Sequence, residues 1–261
     1  MHHPNRTAIV TGAAQGIGRR TAELLAENGY AVALIDLRPA TAVTTALREK
    51  GATILDFQAD ISDEAAVATF AAKLEQEWSH IDLLVNNAGI SCIAPAEETS
   101  VQQFRRVLEI NLTAPFILSK TFGPKMIAQG NGSIVNVASI AGLVGIADRT
   151  AYNASKHGLI GLTRTLAAEW AGRGVRVNAV CPGWVKTEMD VADQSAGGYT
   201  DDDIIHRVPM ARFASPTDIA EAILFLADDR RSGFVNGHTL VVDGGWTSDG
   251  SWESLRLRHR A

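Results

Sequence analysis

The sequence has two cysteines, Cys92 and Cys181, in 261 residues. Two thiols build neither a disulfide framework nor a cysteine-rich zinc site. No apolar run approaches the roughly 18–20 residues of a membrane span. The polar residues Met1 to Thr7 lead straight into a short apolar segment, too brief for the hydrophobic region of a signal peptide. Basic residues are not in excess: 24 Lys and Arg face 29 Asp and Glu, a net charge of −5, which argues against bulk nucleic-acid binding. The histidines at 2, 3, 80, 157, 206, 238 and 259 include no i, i+4 pair, and so no helical metal-binding face. The expectation is a cytoplasmic globular protein with no nucleic-acid, membrane or metal partner.

What the chain does have is alternation. Short β-rich apolar runs stand at Ala8–Val10, Ala31–Ile35, Thr53–Leu55, Ile81–Val85, Ser133–Val137, Val175–Val180 and Thr239–Val242. Segments with helical spacing separate them, among them Thr21–Glu27, Ala65–Trp78, and longer ones near 99–128 and 151–172. Seven such repeats predict an α/β fold, a doubly wound, seven-stranded parallel sheet of the Rossmann type with helices on both faces. The whole of 1–261 reads as one dinucleotide-binding and catalytic domain. Ligands of such sheets lie beyond the carboxyl ends of the strands. Two stretches break the pattern. Residues 186–212 read as a substrate loop or as ordinary surface, and 246–261 as a C-terminal extension.

Gly12-Ala-Ala-Gln15-Gly16-Ile17-Gly18 follows the first strand and opens a helix. Glycines there let the backbone approach a pyrophosphate, and the helix start offers free N–H groups and a positive dipole end. The same cluster could be only a tight βα turn. Asp36 ends the second strand, where a carboxylate can accept both ribose hydroxyls and repel a 2′-phosphate. NAD is therefore expected rather than NADP, although Arg38 stands two residues on. Asp60-Ile61 after the third strand could meet adenine, or belong to the helix start before Asp63. Asn87-Ala88-Gly89 after the fourth could pass the cofactor ribose or simply turn.

Tyr152 and Lys156 are one helical turn apart and share a face. An ammonium near a phenol lowers its pKa toward a working range. Ser139 ends the fifth strand, placed to hydrogen-bond a reacting oxygen. Asn111 falls inside the long helical stretch at 99–128. An asparagine there is either a buried structural residue or marks a helix break that holds a water near Lys156.

Taken together, Thr11-Gly-Ala-Ala-Gln-Gly-Ile-Gly18, Asn86-Asn-Ala-Gly89, Asn111, Ser139, Tyr152-Asn-Ala-Ser-Lys156 and Pro182-Gly183 resemble the short-chain dehydrogenase/reductase family over about 6–245. The resemblance implies a catalytic tetrad of Asn111, Ser139, Tyr152 and Lys156. It implies that Tyr152 exchanges the substrate hydroxyl proton while hydride moves to or from nicotinamide. Lys156 would also hold the nicotinamide ribose, and Pro182, Val185 and Thr187 would flank the carboxamide. It implies a homotetramer, in which the alternating leucines and arginines of Ser254–Arg260 could reach a neighbouring subunit or fray in solvent.

For the substrate, Ser139, Ala141, Arg149, Tyr152 and Trp184 are the candidate contacts. Trp184 offers a wall for a sugar ring or a piece of core. Arg149 could meet an anionic group or make only a surface ion pair. The function expected is NAD-dependent interconversion of a secondary alcohol or hemiacetal with a carbonyl or lactone, on a sugar, a polyol or a carboxylated or sulfonated sugar. A 3-oxoacyl-thioester reductase is the enzyme alternative. An inactive NAD-sensing binding protein is the alternative from another class.

Overall fold

The computed structural model describes residues 6–197 and 199–252. In chain order the first half runs β1 (Thr7–Thr11), α1 (Gly16–Glu27), β2 (Ala31–Asp36), α2 (Thr41–Glu49), β3 (Ile54–Gln58), α3 (Glu64–Glu77) and β4 (Leu83–Asn86). Then come α4 (Val101–Leu108), a π-helical turn (Glu109–Thr113), α5 (Ala114–Gln129), β5 (Gly132–Val137) and α6 (Thr150–Trp170). The last part holds β6 (Val175–Pro182), α7 (Glu188–Gly197), α8 (Asp201–Arg207), α9 (Pro216–Ala227), α10 (Asp229–Ser232) and β7 (Thr239–Val242).

The strands form one parallel sheet in the order β3-β2-β1-β4-β5-β6-β7. The expected Rossmann architecture is thus present. Side chains alternate along each strand, so β1 sends Ala8 and Val10 to one face and Ile9 to the other. On the first face they pack with Leu25 of α1, Leu47 of α2 and Ile223 of α9. On the second they pack with Phe70 of α3, Phe122 of α5 and Trp170 of α6. Burial on both faces explains why the strands are apolar throughout rather than alternating.

Helix starts are fixed locally. Ser100 and Gln103 form a capping box at α4, Ser215 and Asp218 another at α9, and Asp63 caps α3 through the Ala65 and Ala66 N–H groups. Order reverses at β1, which pairs with both β2 and β4. A cleft of about 710 Å³ opens there, lined by segments that follow β1 to β6. Of the substrate stretch 186–212, much is helical as α7 and α8. The tail Ser254–Arg260 lies outside the described residues. Among the described residues, no helix is long and apolar enough to cross a membrane.

Candidate active site

The glycine turn is held by its neighbour strand. Thr11 Oγ1 accepts from the Asn87 and Ala88 N–H groups at 3.0 and 2.9 Å. Asn87 Nδ2 donates back to the Thr11 and Gly12 carbonyls. Gly12 has φ +64°, and a Cβ there would lie 2.8 Å from Ala88 Cα. A Cβ on Gly18 would stand 2.1 Å from the Gly12 carbonyl oxygen. Gly18 therefore packs the helix onto the turn and does not line the cleft, whereas Gly12, Gln15, Gly16 and Ile17 do. Gln15 gives α1 no side-chain cap, and no acid occupies its first turn. Uncapped N–H groups at a helix start beside close-approach glycines suit the pyrophosphate of a dinucleotide.

Farther along the cleft, Asp36 is buried at the end of β2. Its two oxygens already accept the Ala14 and Arg38 N–H groups, both at 2.9 Å. The exposed Arg38 guanidinium is 3.9 Å from the same carboxylate. Asp60 and Ile61 line the cleft too. Asp60 accepts from the Ser62 N–H and hydroxyl and pairs with Arg106 at 2.9 Å. Those bonds hold its carboxyl below the usual range, the Ser62 hydroxyl most strongly. The helix cap is Asp63, not Asp60. Ala88 and Gly89 border the cleft with Asn87, and Pro182, Val185 and Thr187 do so after β6.

Around the reacting end, Ser139, Ala141, Tyr152 and Lys156 converge. Ser139 Oγ accepts from the Ala141 N–H at 3.1 Å, which fixes its rotamer. Burial pushes the Tyr152 phenol above its ordinary range, and a hydrogen bond with Ser139 and the charge of Arg149 partly offset this. Lys156 is buried, donates to the Val137 carbonyl at 2.8 Å and sits 5.5 Å from the Tyr152 ring centroid. Burial brings its own pKa down to about 8. Burial is the dominant influence on both groups. Asn111 occupies the π-helical turn, fully buried. It accepts from the Ile90 N–H, donates to the Ile90 carbonyl, both at 2.9 Å, and donates to Ser155. A Cβ on Gly89 would stand 3.2 Å from Asn111 Oδ1 and 3.6 Å from Lys156 Nζ, so all three meet at one point.

At the substrate end Arg149 is 6% exposed and lies in the cleft, not on the surface. Its Nη1 donates to Ser91 Oγ and to Asp193 Oδ2 of α7, at 2.9 and 2.6 Å. Trp184 packs edge-on to Tyr199 with centroids 5.3 Å apart, and the Arg149 guanidinium is 5.6 Å from its ring. Asp190, Asp193 and Tyr199 also line the cleft. The sequence reading missed these three, and also Arg106. Only the general expectation for 186–212 pointed toward the first group.

Residues 12–247 match the family described as Enoyl-(Acyl carrier protein) reductase. With the tetrad residues and glycine turn in place, that match decides the assignment. The chain is a short-chain dehydrogenase/reductase. It is similar to a short-chain type dehydrogenase/reductase of Sinorhizobium fredii, 44% identical over 94% of this chain, which spans 44% of that longer protein. It is 45% identical to cis-4-hydroxycyclohexanecarboxylate dehydrogenase of Sinomonas cyclohexanicum, over 93% of this chain and 97% of that one. It is 41% identical to D-threitol dehydrogenase of Mycolicibacterium smegmatis, over 93% of each.

Among solved structures, a candidate NAD(P)-dependent gluconate 5-dehydrogenase from Beutenbergia cavernae, with bound NADP at low occupancy, superposes with a TM-score of 0.88. It is 42% identical, with 94% and 98% of the two chains covered. A gluconate 5-dehydrogenase from Burkholderia cenocepacia, in complex with NADP and tartrate, gives 0.88, 32% identity and coverage of 94% and 96%. A candidate 2-deoxy-D-gluconate 3-dehydrogenase from Agrobacterium tumefaciens with bound NADP gives 0.85, 33% identity and coverage of 94% and 98%. These three NADP-bound relatives overturn the expected restriction to NAD. The physical reason is at hand: Asp36 is engaged by two backbone N–H groups, and Arg38 places a cation on the same rim. The dehydrogenase is an NAD(P)-linked oxidoreductase.

Proposed function

We propose that this short-chain dehydrogenase/reductase interconverts a secondary alcohol and a carbonyl on a sugar, a polyol or a related acidic compound. The observation that carries the reading is the convergence of Ser139, Tyr152 and Lys156 at one end of the cleft whose other end holds the glycine turn. Relatives named for D-threitol and for gluconate point to the same substrate class. A bound nicotinamide supplies the place where a hydride is accepted or released. The chain does the rest. Gly12, Gln15, Gly16 and Ile17 cradle the pyrophosphate, and the segments at Asp36–Arg38 and Asp60–Ile61 border the adenosine. Asn87, Ala88 and Gly89 hold the middle, and Pro182, Val185 and Thr187 flank the carboxamide. Ser139 orients the substrate oxygen by hydrogen bonding. Tyr152 takes the hydroxyl proton in oxidation and returns it in reduction. Lys156 supplies positive charge beside the phenol, and Asn111 positions the turn behind it.

The proposal extends to one catalytic and cofactor-binding unit working as a cytoplasmic homotetramer. Both cysteines are free, which suits a reducing compartment. Phe116 on α5 and Phe234 are exposed apolar side chains, which suit subunit contacts.

The test is the initial rate of NAD and NADP reduction across polyols, aldoses and sugar acids, beside reduction of a 3-oxoacyl thioester. Tyr152→Phe should lower turnover by about 10²–10⁴-fold, with cofactor affinity kept within a few-fold by titration. Activity confined to the thioester would overturn the reading. So would full turnover by the Phe variant.

A further inference from the structure

Arg149 is the one cation buried at the substrate end among the described residues, and its charge is already taken. Asp193 Oδ2 lies 2.6 Å from Nη1, with side-chain exposures of 8% for Arg149 and 16% for Asp193. A second carboxylate, Asp190, is buried on the same helix and lines the same cleft. Its Oδ2 pairs with the rim cation Lys186, at 3.4 Å, which also pairs with Asp201. The buried Arg149–Asp193 pair is thus neutral, and Asp190 adds a negative charge that is balanced from the rim by Lys186. Trp184, also in the cleft, has a buried indole Nε1 with no hydrogen-bond partner.

We infer that the cleft selects uncharged polyhydroxy alcohols over sugar acids, and that Asp193 sets this choice by neutralising Arg149. The inference rests on the proposed sugar or polyol activity and narrows it. A substrate carboxylate would have to displace Asp193 from Arg149 and leave that buried acid unpaired, or lie against the pair as an extra negative charge. Either outcome is costly in a desolvated site. A hydroxyl group both donates and accepts. A substrate hydroxyl can therefore donate to an acid at this end of the cleft, whereas a carboxylate, which only accepts, is repelled by Asp190. Tyr199 packs on the Trp184 face and contacts Asp190, which keeps α7 over the cleft.

The experiment compares kcat/KM for D-threitol, ribitol and xylitol with that for D-ribonate and D-gluconate, using both cofactors. The wild type should favour the uncharged set by about tenfold or more, and Asp193→Asn should move the ratio toward the acids by a similar factor, mainly through KM. Asn keeps an oxygen for Arg149 while releasing its charge. Asp190→Asn should move the ratio the same way without touching Arg149, and this decides the matter if the first variant does not fold. Wild-type oxidation of the acids as fast as of the polyols would overturn the inference while leaving the proposed activity intact. An unchanged ratio in a folded, cofactor-binding Asp193→Asn would do the same. Oxidation of neither set would overturn the proposed activity itself, and the inference with it.

Discussion

Lys156 shows what a buried ammonium, proposed above for catalysis, costs the fold. Its ammonium is buried with a single backbone acceptor, the Val137 carbonyl. Burial moves its pKa from 10.5 to about 8. Between those values the unfolded chain holds the proton that the folded chain has released, so this residue makes stability rise with pH across that window. Below about pH 8 the full cost of the buried charge is present. At about 1.4 kcal/mol per unit, that net cost is about 3 kcal/mol. Lys156→Met should therefore unfold at a higher temperature than the wild type at pH 7 while losing most turnover. The gain should shrink by pH 10. Thermal unfolding at pH 7, 8.5 and 10 checks this, and a variant less stable than the wild type at pH 7 would contradict it. Asp36 carries the opposite lesson. Its position at the end of β2 was legible and suggested NAD alone. The two backbone bonds and the adjacent guanidinium that change its meaning are tertiary facts that residue spacing does not display.

At the scale of elements, the seven strands were legible because burial on both faces leaves an unbroken apolar run. The stretch at 99–128 reads as one helix by period, but it is α4, a π-helical turn and α5. The extra residue in the turn brings Asn111 inward, and the asparagine itself was the only hint. Neither α2 nor α9 stood out in the apolar pattern. α9 is apolar nearly all round, with Ile219, Ile223 and Leu226 fully buried, so it lacks the polar face that marks an amphipathic helix. Asn111 ties the π-helical turn to the segment after β4 by bonding both main-chain groups of Ile90. Asn111→Ala leaves the Ile90 N–H and carbonyl unpaired in a half-buried place, which should cost about 2–4 kcal/mol. The melting temperature should fall by about 5–12 °C. Hydrogen exchange at the Ile90 amide should accelerate more than at the β1 amides. Equal acceleration everywhere would mean a general loss of stability rather than release of this tie.

As a whole molecule the chain has two unequal parts. The sheet and its flanking helices share continuous apolar cores on both faces. The α7–α8 segment is attached by different means: the Arg149–Asp193 pair, the pairs of Lys186 with Asp190 and Asp201, and the Trp184–Tyr199 contact. It exposes Met189 and Val191 and buries few large apolar side chains beyond Ile204 and Val208. Segments with sparse apolar burial open at lower free energy than cores do. The same segment covers the substrate end of the cleft, so access and retention of substrate are set by its weakest contacts. Limited proteolysis of the native enzyme should cut within 186–212 before it cuts any strand or helix of the sheet layers. Raising salt from about 0.05 to 0.5 M should speed that cut, because the exposed Lys186–Asp201 pair is screened. A bound cofactor and polyol together should slow it by stabilising the closed arrangement. Mass spectrometry of the first fragments decides the matter. A first cut inside α2 or α9, with 186–212 intact, would show that this segment is held as firmly as the core.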